Sequence, residues 1–314
     1  MRVFDGLEAI DPQLEHCVLT VGNFDGVHRA HQQVLAQAGL FAANTGGPVV
    51  VLTFEPHPLT VVAPAKAPQR LSPREEKLRL LAEAGATVTV VARSEPGLLA
   101  LEAEQFVEQI IVAKFHPTHV VEGSSFGFGR GRRGSPQLLR RLGDSFGYDT
   151  HIVAPVTLSF SIEPDETVLV SSSLIRRLLL EGKVRRAALC LGRAYVLRGT
   201  VVRGHRRGHD LGFPTANLAV EDQLIPADGV YSGTALVDQR PHLCAISIGT
   251  NPTFGDGVRQ VEAHLLDFDG DLCGRRIGVA LHQWIRVQQR FESPEQLATQ
   301  LRRDIAFVRA REAS

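Results

Sequence analysis

What most constrains the fold of this chain is a change of rhythm part-way along it. Up to about residue 155, apolar runs of strand length at 17–22, 48–54, 87–92, 118–123 and 150–156 alternate with stretches of helical period at 31–43, 72–84, 102–113 and 135–143. Ser72-Pro73 and Ser135-Pro136 supply a cap and a first-turn proline for two of the helices. Alternation of this kind predicts an α/β domain, a parallel sheet joined by right-handed helical crossovers. Such sheets bind ligands at the carboxyl ends of their strands. A helix is expected over 172–190, with a break at Gly182. After it the rhythm becomes strand and turn alone, at 195–203, 230–237, 243–249, 260–268 and 277–285, which predicts a small antiparallel β-barrel. A final amphipathic helix opens at Ser293-Pro294 and runs to Arg311, with Leu297, Leu301, Ile305 and Val308 on one face. The expected domains are 1–187 and 188–314, with the boundary falling between 185 and 192.

Charge and cysteine usage narrow the function classes. The formal net charge of the 314 residues is zero, so the overall field favours neither nucleic acid nor an anionic membrane, and a small-molecule substrate is expected. Cys17, Cys190, Cys244 and Cys273 follow no disulfide or zinc-ligand spacing. No apolar run has the length of a signal peptide or a membrane span, and a cytoplasmic protein is expected.

Three segments at the predicted strand ends carry candidate phosphate chemistry. In "GNFDGVHRAHQ" (22–32), His28 and His31 stand three apart where a helix begins, so one polyphosphate can meet both imidazoles and the positive end of the helix dipole. The spacing is not that of a zinc protease, and read alone the pair is a polar helix cap. In "SSSLIRR" (171–177), Ser172 and Ser173 lie at a second helix start with Arg176 one turn in; read alone this is an N-cap. The glycines and arginines of "GSSFGFGRGRRG" (123–134) suit a mobile backbone cradle or a solvated turn.

In the second half, the "PTAN" (214–217) of "GFPTAN" reads as a turn, and Glu262 with His264 reads as the polar face of an alternating strand whose Val261, Ala263 and Leu265 face the core. Gly204, Gly208 and Gly212, with Arg206 and Arg207, fit either a flap over nucleotide phosphates or a solvated loop.

Taken in order, "GNFDGVHRAHQ", "TFEPHP", "GSSFGFGRGRRG", "VSSSLIR", "GFPTANL" and "VEAHLLDFDGDLCG" resemble the bacterial bifunctional riboflavin kinase/FMN adenylyltransferase (FAD synthetase) family, whose first module belongs to the HxGH nucleotidyltransferases. The resemblance runs from about residue 3 to 310. It implies a nucleotidyltransferase domain of Rossmann-like fold followed by a riboflavin kinase barrel, with ATP as co-substrate, Mg²⁺ as cofactor, and riboflavin, FMN and FAD as substrates and products. His28 and His31 are then expected to neutralise charge on ATP phosphates, with Asn23 and Asp25 beside them, and Ser172, Ser173 and Arg176 to hold the leaving pyrophosphate. Flavin contacts are implied at Phe54, Pro56, His57, Pro58, Ser125 and Phe126. In the kinase module Gly204, Gly208 and Gly212 are implied at the nucleotide, and Thr215 and Asn217 supply neutral oxygens suited to Mg²⁺ on the nucleotide. Glu262 is implied as the base for the ribityl 5′-hydroxyl. The chain departs from the family with Ala30 in place of the glycine of H-x-G-H, Ser125 in place of Asp or Asn, Ser173 in place of Thr, and Cys273 where Tyr is common. Ala30 and Ser125 keep a second reading open, a kinase with an impaired first module. A third, a non-catalytic flavin or RNA binder, rests on the Arg/Gly segments.

Overall fold

Strands β2 (Val18–Val21), β3 (Val49–Glu55) and β4 (Val88–Arg93) are runs of β-branched and aliphatic residues, almost all buried. Burial on both faces is what a parallel sheet covered by helices requires. With β1 (Arg2–Asp5), β5 (His119–Gly123) and β6 (Asp149–Val153) they form an all-parallel sheet in the order β1-β4-β3-β2-β5-β6. Alternate residues point to opposite sides. Leu19, Val50, Leu52, Val88 and Val90 pack with Phe106, Ile111 and Phe115, and Val18, Val49 and Val51 pack with Val34, Leu35, Ala38, Leu80 and Leu81. The covering helices are α1 (Arg29–Thr45), the single turns α2 (Pro58–Val62) and α4 (Pro96–Leu99), α3 (Arg74–Glu83), α5 (Ala103–Phe106), which runs through a π-turn (Val107–Val112) into α6 (Ala113–Phe115), and α7 (Pro136–Phe146). Ser135 caps α7 as its sequence predicts, its hydroxyl accepting the Leu138 N–H. Strand β1 is absent from the sequence reading, because four largely exposed edge residues carry no alternation.

The strand order reverses between β2 and β5. Their ladder covers only Val18↔His119 and Leu19↔Val120, after which the two strands part. The Val21 N–H, left without a strand partner on that side, donates to the buried Glu122 carboxyl at 2.6 Å. A crevice therefore opens at the carboxyl ends of β2 and β5, the position at which open α/β sheets receive ligands.

The computed structural model describes residues 1–10, 14, 16–160, 167–203, 212–238, 240–250 and 259–312. These fall into two compact units, Met1–Ser171 and Ser172–Ser314. The first ends with a hairpin of β7 (Thr157–Ser159) and β8 (Thr167–Leu169). The second opens with α8 (Ser172–Leu180) and α9 (Val184–Leu191), separated at Gly182, whose φ of +72° ends the first helix. The packing division thus precedes the 187/188 boundary read from the sequence. The reason is local: the Ala227 N–H donates to Leu179 O, and α9 packs on the barrel strands.

The barrel is closed, in the order β10-β13-β12-β11-β14-β9, from β9 (Tyr195–Val202), β10 (Ala216–Val220), β11 (Gly229–Val237), β12 (Arg240–Thr250), β13 (Arg259–Leu265) and β14 (Arg276–Arg286). All its pairs are antiparallel. Five of these strands are legible as alternation. The sixth, β10, begins within the segment read as a turn, and without it β9 and β13 would be left as open edges. The C-terminal helix Pro294–Glu312 is opened by Ser293, whose hydroxyl accepts the Gln296 N–H. Its inner face includes a residue the apolar stripe did not suggest: Asp304 is 2% exposed and pairs bidentately with Arg286 at 2.6 and 3.0 Å.

Candidate active sites

The turn from β2 into α1 lifts both histidines to the crevice, and its backbone is unusual. Phe24, Gly26 and Val27 have φ of +49°, +80° and +38°, and a β-branched residue at positive φ is a strained one. Side chains hold it there. Thr53 Oγ1 donates to Asn23 O at 3.2 Å, Gln32 Nε2 donates to Val27 O at 2.8 Å, and the buried Asp25 carboxylate accepts from Leu71 N and Ser72 N at 3.0 and 3.2 Å. Asp25 thereby ties the turn to the segment that starts α3, so its observed contacts are those of an anchor.

His28 is the N-cap of α1; its Nδ1 accepts the His31 N–H at 3.4 Å. The two rings stack with centroids 3.6 Å apart, and Phe24 leans on His31 at 5.0 Å. Burial, reinforced by the neighbouring His28, holds His31 well below the usual imidazole range, and its Nδ1 is buried without a hydrogen-bond partner. A buried orphan nitrogen carries an unmet hydrogen-bonding demand. The first turn of α1 holds no acidic residue to compete for an anion.

Beside this turn lies a small open pocket lined by Asn23, Asp25, Phe54, Glu55, His57, Pro68, Arg70, Ser72 and Lys77. It brings together four of the expected site residues, Asn23, Asp25, Phe54 and His57. His57 caps α2 by accepting the Leu59 N–H at Nδ1 (3.2 Å). The Asn23 amide nitrogen lies 3.1 Å from His57 Nε2, which joins the two side chains at the pocket wall. Pro56, Pro58, Ser125, Phe126, His28 and His31 are not among the lining residues.

Sequence reading passed over Glu55, Arg70 and Lys77. Lys77 is 6% exposed, and its Nζ reaches Thr53 Oγ1 and Phe54 O at 3.4 Å and Glu55 at 3.5 Å; Arg70 pairs with the other oxygen of Glu55. Burial lowers the Lys77 ammonium, against the pull of Glu55 and Asp25. In "PREEKLRLL" it reads as one more polar residue on a helix surface, and only the fold turns it inward.

The glycine- and arginine-rich segment after β5 carries many local contacts while its arginines stay exposed, closer to the solvated turn than to the mobile cradle of the two readings its composition allows. Phe126 stacks on Phe128 at 5.3 Å, and Phe128 exchanges backbone hydrogen bonds with Gly134. Arg130 N donates to Leu101 O at 2.7 Å, the Arg130 and Arg133 guanidinium groups face Glu102, and Arg132 donates to Ser125 O. A Cβ on Gly129 would stand 2.6 Å from Ala103 Cα, so this glycine serves close backbone packing. Ser125 itself is exposed. Ser172, Ser173 and Arg176 lie in the opening turns of α8, where Ser173 is exposed and Ser172 and Arg176 are half-buried.

In the barrel, the β10/β13 register sets Asn217 directly opposite Glu262. Thr215, exposed, precedes β10, and Gly212 has φ of +82°. Gly204 and Gly208, with Arg206 and Arg207, lie outside the described residues. His264, two residues beyond Glu262 and so on the same face, holds the turn in place. Its Nδ1–H donates to Pro214 O at 2.8 Å and its ring meets Phe213 edge-on at 5.7 Å. The register sets a carboxylate opposite an amide, with the Thr215 hydroxyl two residues before that amide in the chain, and oxygen donors of this kind suit a hard cation carried by phosphates.

Residues 10–163 match the family model described as FAD synthetase, and residues 191–311 that of riboflavin kinase. Bifunctional riboflavin kinase/FMN adenylyltransferases are similar along nearly the whole chain. That of Escherichia coli strain K12 is 38% identical, covering 97% of this chain and 96% of the relative, and that of Pseudomonas fluorescens is 35% identical, covering 99% and 97%. A crystal structure from Streptococcus pneumoniae, described as a macrolide-efflux protein, superposes with a TM-score of 0.85 at 27% identity over 98% of this chain and 99% of its own. Among the described residues no helix is long and apolar enough to cross a membrane.

Proposed function

Because the chain belongs to the family of bifunctional riboflavin kinases/FMN adenylyltransferases, we infer that it catalyses two successive steps of flavin cofactor synthesis. It phosphorylates riboflavin with ATP to give FMN and ADP, and it joins the AMP part of a second ATP to FMN, giving FAD and pyrophosphate. The bifunctional reading prevails over the kinase-only one because the first half both matches the FAD synthetase model and retains the paired histidines at the sheet's switch point. The observation that carries it is the buried, unpartnered Nδ1 of His31 at a helix N-terminus.

For adenylyl transfer, a phosphate oxygen of FMN attacks the α-phosphorus of ATP as the bond to pyrophosphate breaks. No proton need move, so the protein's part is positioning and charge neutralisation. His31, neutral while unliganded, gains a hydrogen-bonding partner and a counter-charge when polyphosphate arrives. His28, stacked upon it, shares that load. Asn23, in the same turn, is assigned to the ATP phosphates, and Ser172, Ser173 and Arg176 to the leaving pyrophosphate. Phe54, His57 and the adjoining Pro56, Pro58, Ser125 and Phe126 receive the flavin. Asp25 serves the turn that carries the histidines. By activity, the adenylyltransferase domain is taken as 1–187 and the kinase domain as 188–314.

For phosphorylation, Glu262 takes the proton of the ribityl 5′-hydroxyl as that oxygen attacks the γ-phosphorus, and ADP leaves. Thr215 and Asn217 are the residues that would hold Mg²⁺; bound on the nucleotide, the ion neutralises phosphate charge. Gly212 is assigned to the nucleotide phosphates, as are Gly204 and Gly208 of the same motif. His264 fixes the Phe213–Thr215 turn, and so is a positioning residue. A cytoplasmic setting accords with soluble small-molecule substrates.

The test is an end-point chromatographic assay of the purified protein with Mg-ATP, one sample given riboflavin and the other FMN. FAD in both samples is the expected result. FMN accumulating in the first, with no FAD in either, would reduce the protein to a kinase.

A further inference from the structure

At the end of the sheet opposite the crevice, three side chains converge that neither activity uses. His119 and Asp149 are the first residues of β5 and β6, paired directly in the parallel ladder, and His151 follows two residues later on the same face. His151 Nε2 lies 3.2 Å from His119 Nδ1, and Asp149 Oδ2 lies 3.6 Å from that same nitrogen. All three ligand atoms fall within 4.8 Å of one another.

We propose that His119, Asp149 and His151 form a binding site for a borderline divalent transition-metal ion of the Zn²⁺ class. Two imidazole nitrogens at ordinary zinc distances in a tetrahedral arrangement stand about 3.3 Å apart, and the observed separation matches this without rearrangement. Two nitrogens and one carboxylate select zinc, cobalt or nickel over magnesium, which takes oxygen ligands. The rings are held from outside the ligand set. Phe41 of α1 stacks on His151 with centroids 3.8 Å apart and lies 5.1 Å from His119, so the site is braced by a helix as well as by two strands. His119 is largely covered, with 17% of its side chain exposed, whereas Asp149 is 76% exposed and free to close on an arriving ion. Three protein ligands leave a coordination position for solvent. Because β5 and β6 lead at their other ends to the crevice, an ion here clamps the sheet edge without touching substrate.

The test uses the full chain without an affinity tag, stripped with a chelator and titrated with Zn²⁺ against a chromogenic competitor, alongside the variants His151→Gln and Asp149→Asn. Cys273 and other histidines offer background sites, so the measured quantity is the difference between variants. The wild type is expected to take up one more equivalent than His151→Gln. Asp149→Asn, a change at an exposed side chain that folding tolerates, should bind that equivalent about tenfold more weakly. With Co²⁺ the wild type should show the visible absorption of a four-coordinate ion, absent from His151→Gln. Equal stoichiometry in the wild type and His151→Gln, or unaltered affinity in Asp149→Asn, overturns the proposal and leaves the two rings as a hydrogen-bonded pair.

Discussion

Individual residues at the crevice have proton affinities displaced from those of the free side chains. His31 is kept neutral by burial and by His28, so binding of polyphosphate should draw a proton onto it. Calorimetry of ATP binding in buffers of different ionisation enthalpy should therefore show proton uptake that grows as pH falls toward 6.5, the ordinary histidine value, and that is lost in His31→Asn. Glu122 is displaced in the opposite sense: burial raises its carboxyl well above the ordinary 4.5, outweighing the bond from Val21. Between these two values the native state binds the proton that the unfolded chain has released, so the contribution of Glu122 to stability falls as pH rises above 4.5 and is lost through its folded value. Melting temperatures should accordingly fall less as pH rises from 4.5 for Glu122→Gln than for the wild type; parallel curves would remove Glu122 from the pH dependence.

Among the elements, two joints hold sequence-distant parts together. The Arg286–Asp304 pair fastens the C-terminal helix to the end of β14 and is nearly excluded from water. Asp304→Ala leaves the half-buried Arg286 guanidinium without its carboxylate and should cost about 2 kcal/mol, measured by urea denaturation. The loop after β5 depends on Gly129 in the same way, because an added Cβ meets the backbone of Ala103. Gly129→Ala should displace Phe126 and Phe128, and lower FAD formation several-fold while leaving FMN formation unchanged. Element existence was legible from sequence where periodicity is strong, as in β2 to β6, α1, α7 and the C-terminal helix. It failed at β1 and β10, short segments whose place is fixed by partners far along the chain. The glycine-rich loop after β5 left two readings open for a related reason, since glycine content reports conformational freedom but not the contacts that remove it.

For the molecule as a whole, the two reactions should be separable and transferable through solution. Glu262→Gln is expected to lose FMN formation and still adenylylate supplied FMN, and His31→Ala to do the reverse. Mixing these two variants with riboflavin and Mg-ATP should restore FAD, because FMN made by one is taken up by the other; no FAD from the mixture would show that the two sites work only in one chain. The sequence by itself determined the class of each half, since periodicity of two or of three to four residues is a property of neighbours along the chain, and motif order carried the paired histidines and the Asn217 and Glu262 segments. Tertiary structure alone decided that β2 and β5 part to make the crevice, that Asp25 anchors a turn, and that Lys77, Glu55 and Arg70 meet in one cavity. It also decided that Asn217 faces Glu262 and that two histidines and an aspartate gather at the far end of the sheet. Those are relations between residues tens of positions apart. No local pattern encodes them, because they follow from which strands pair and in what register.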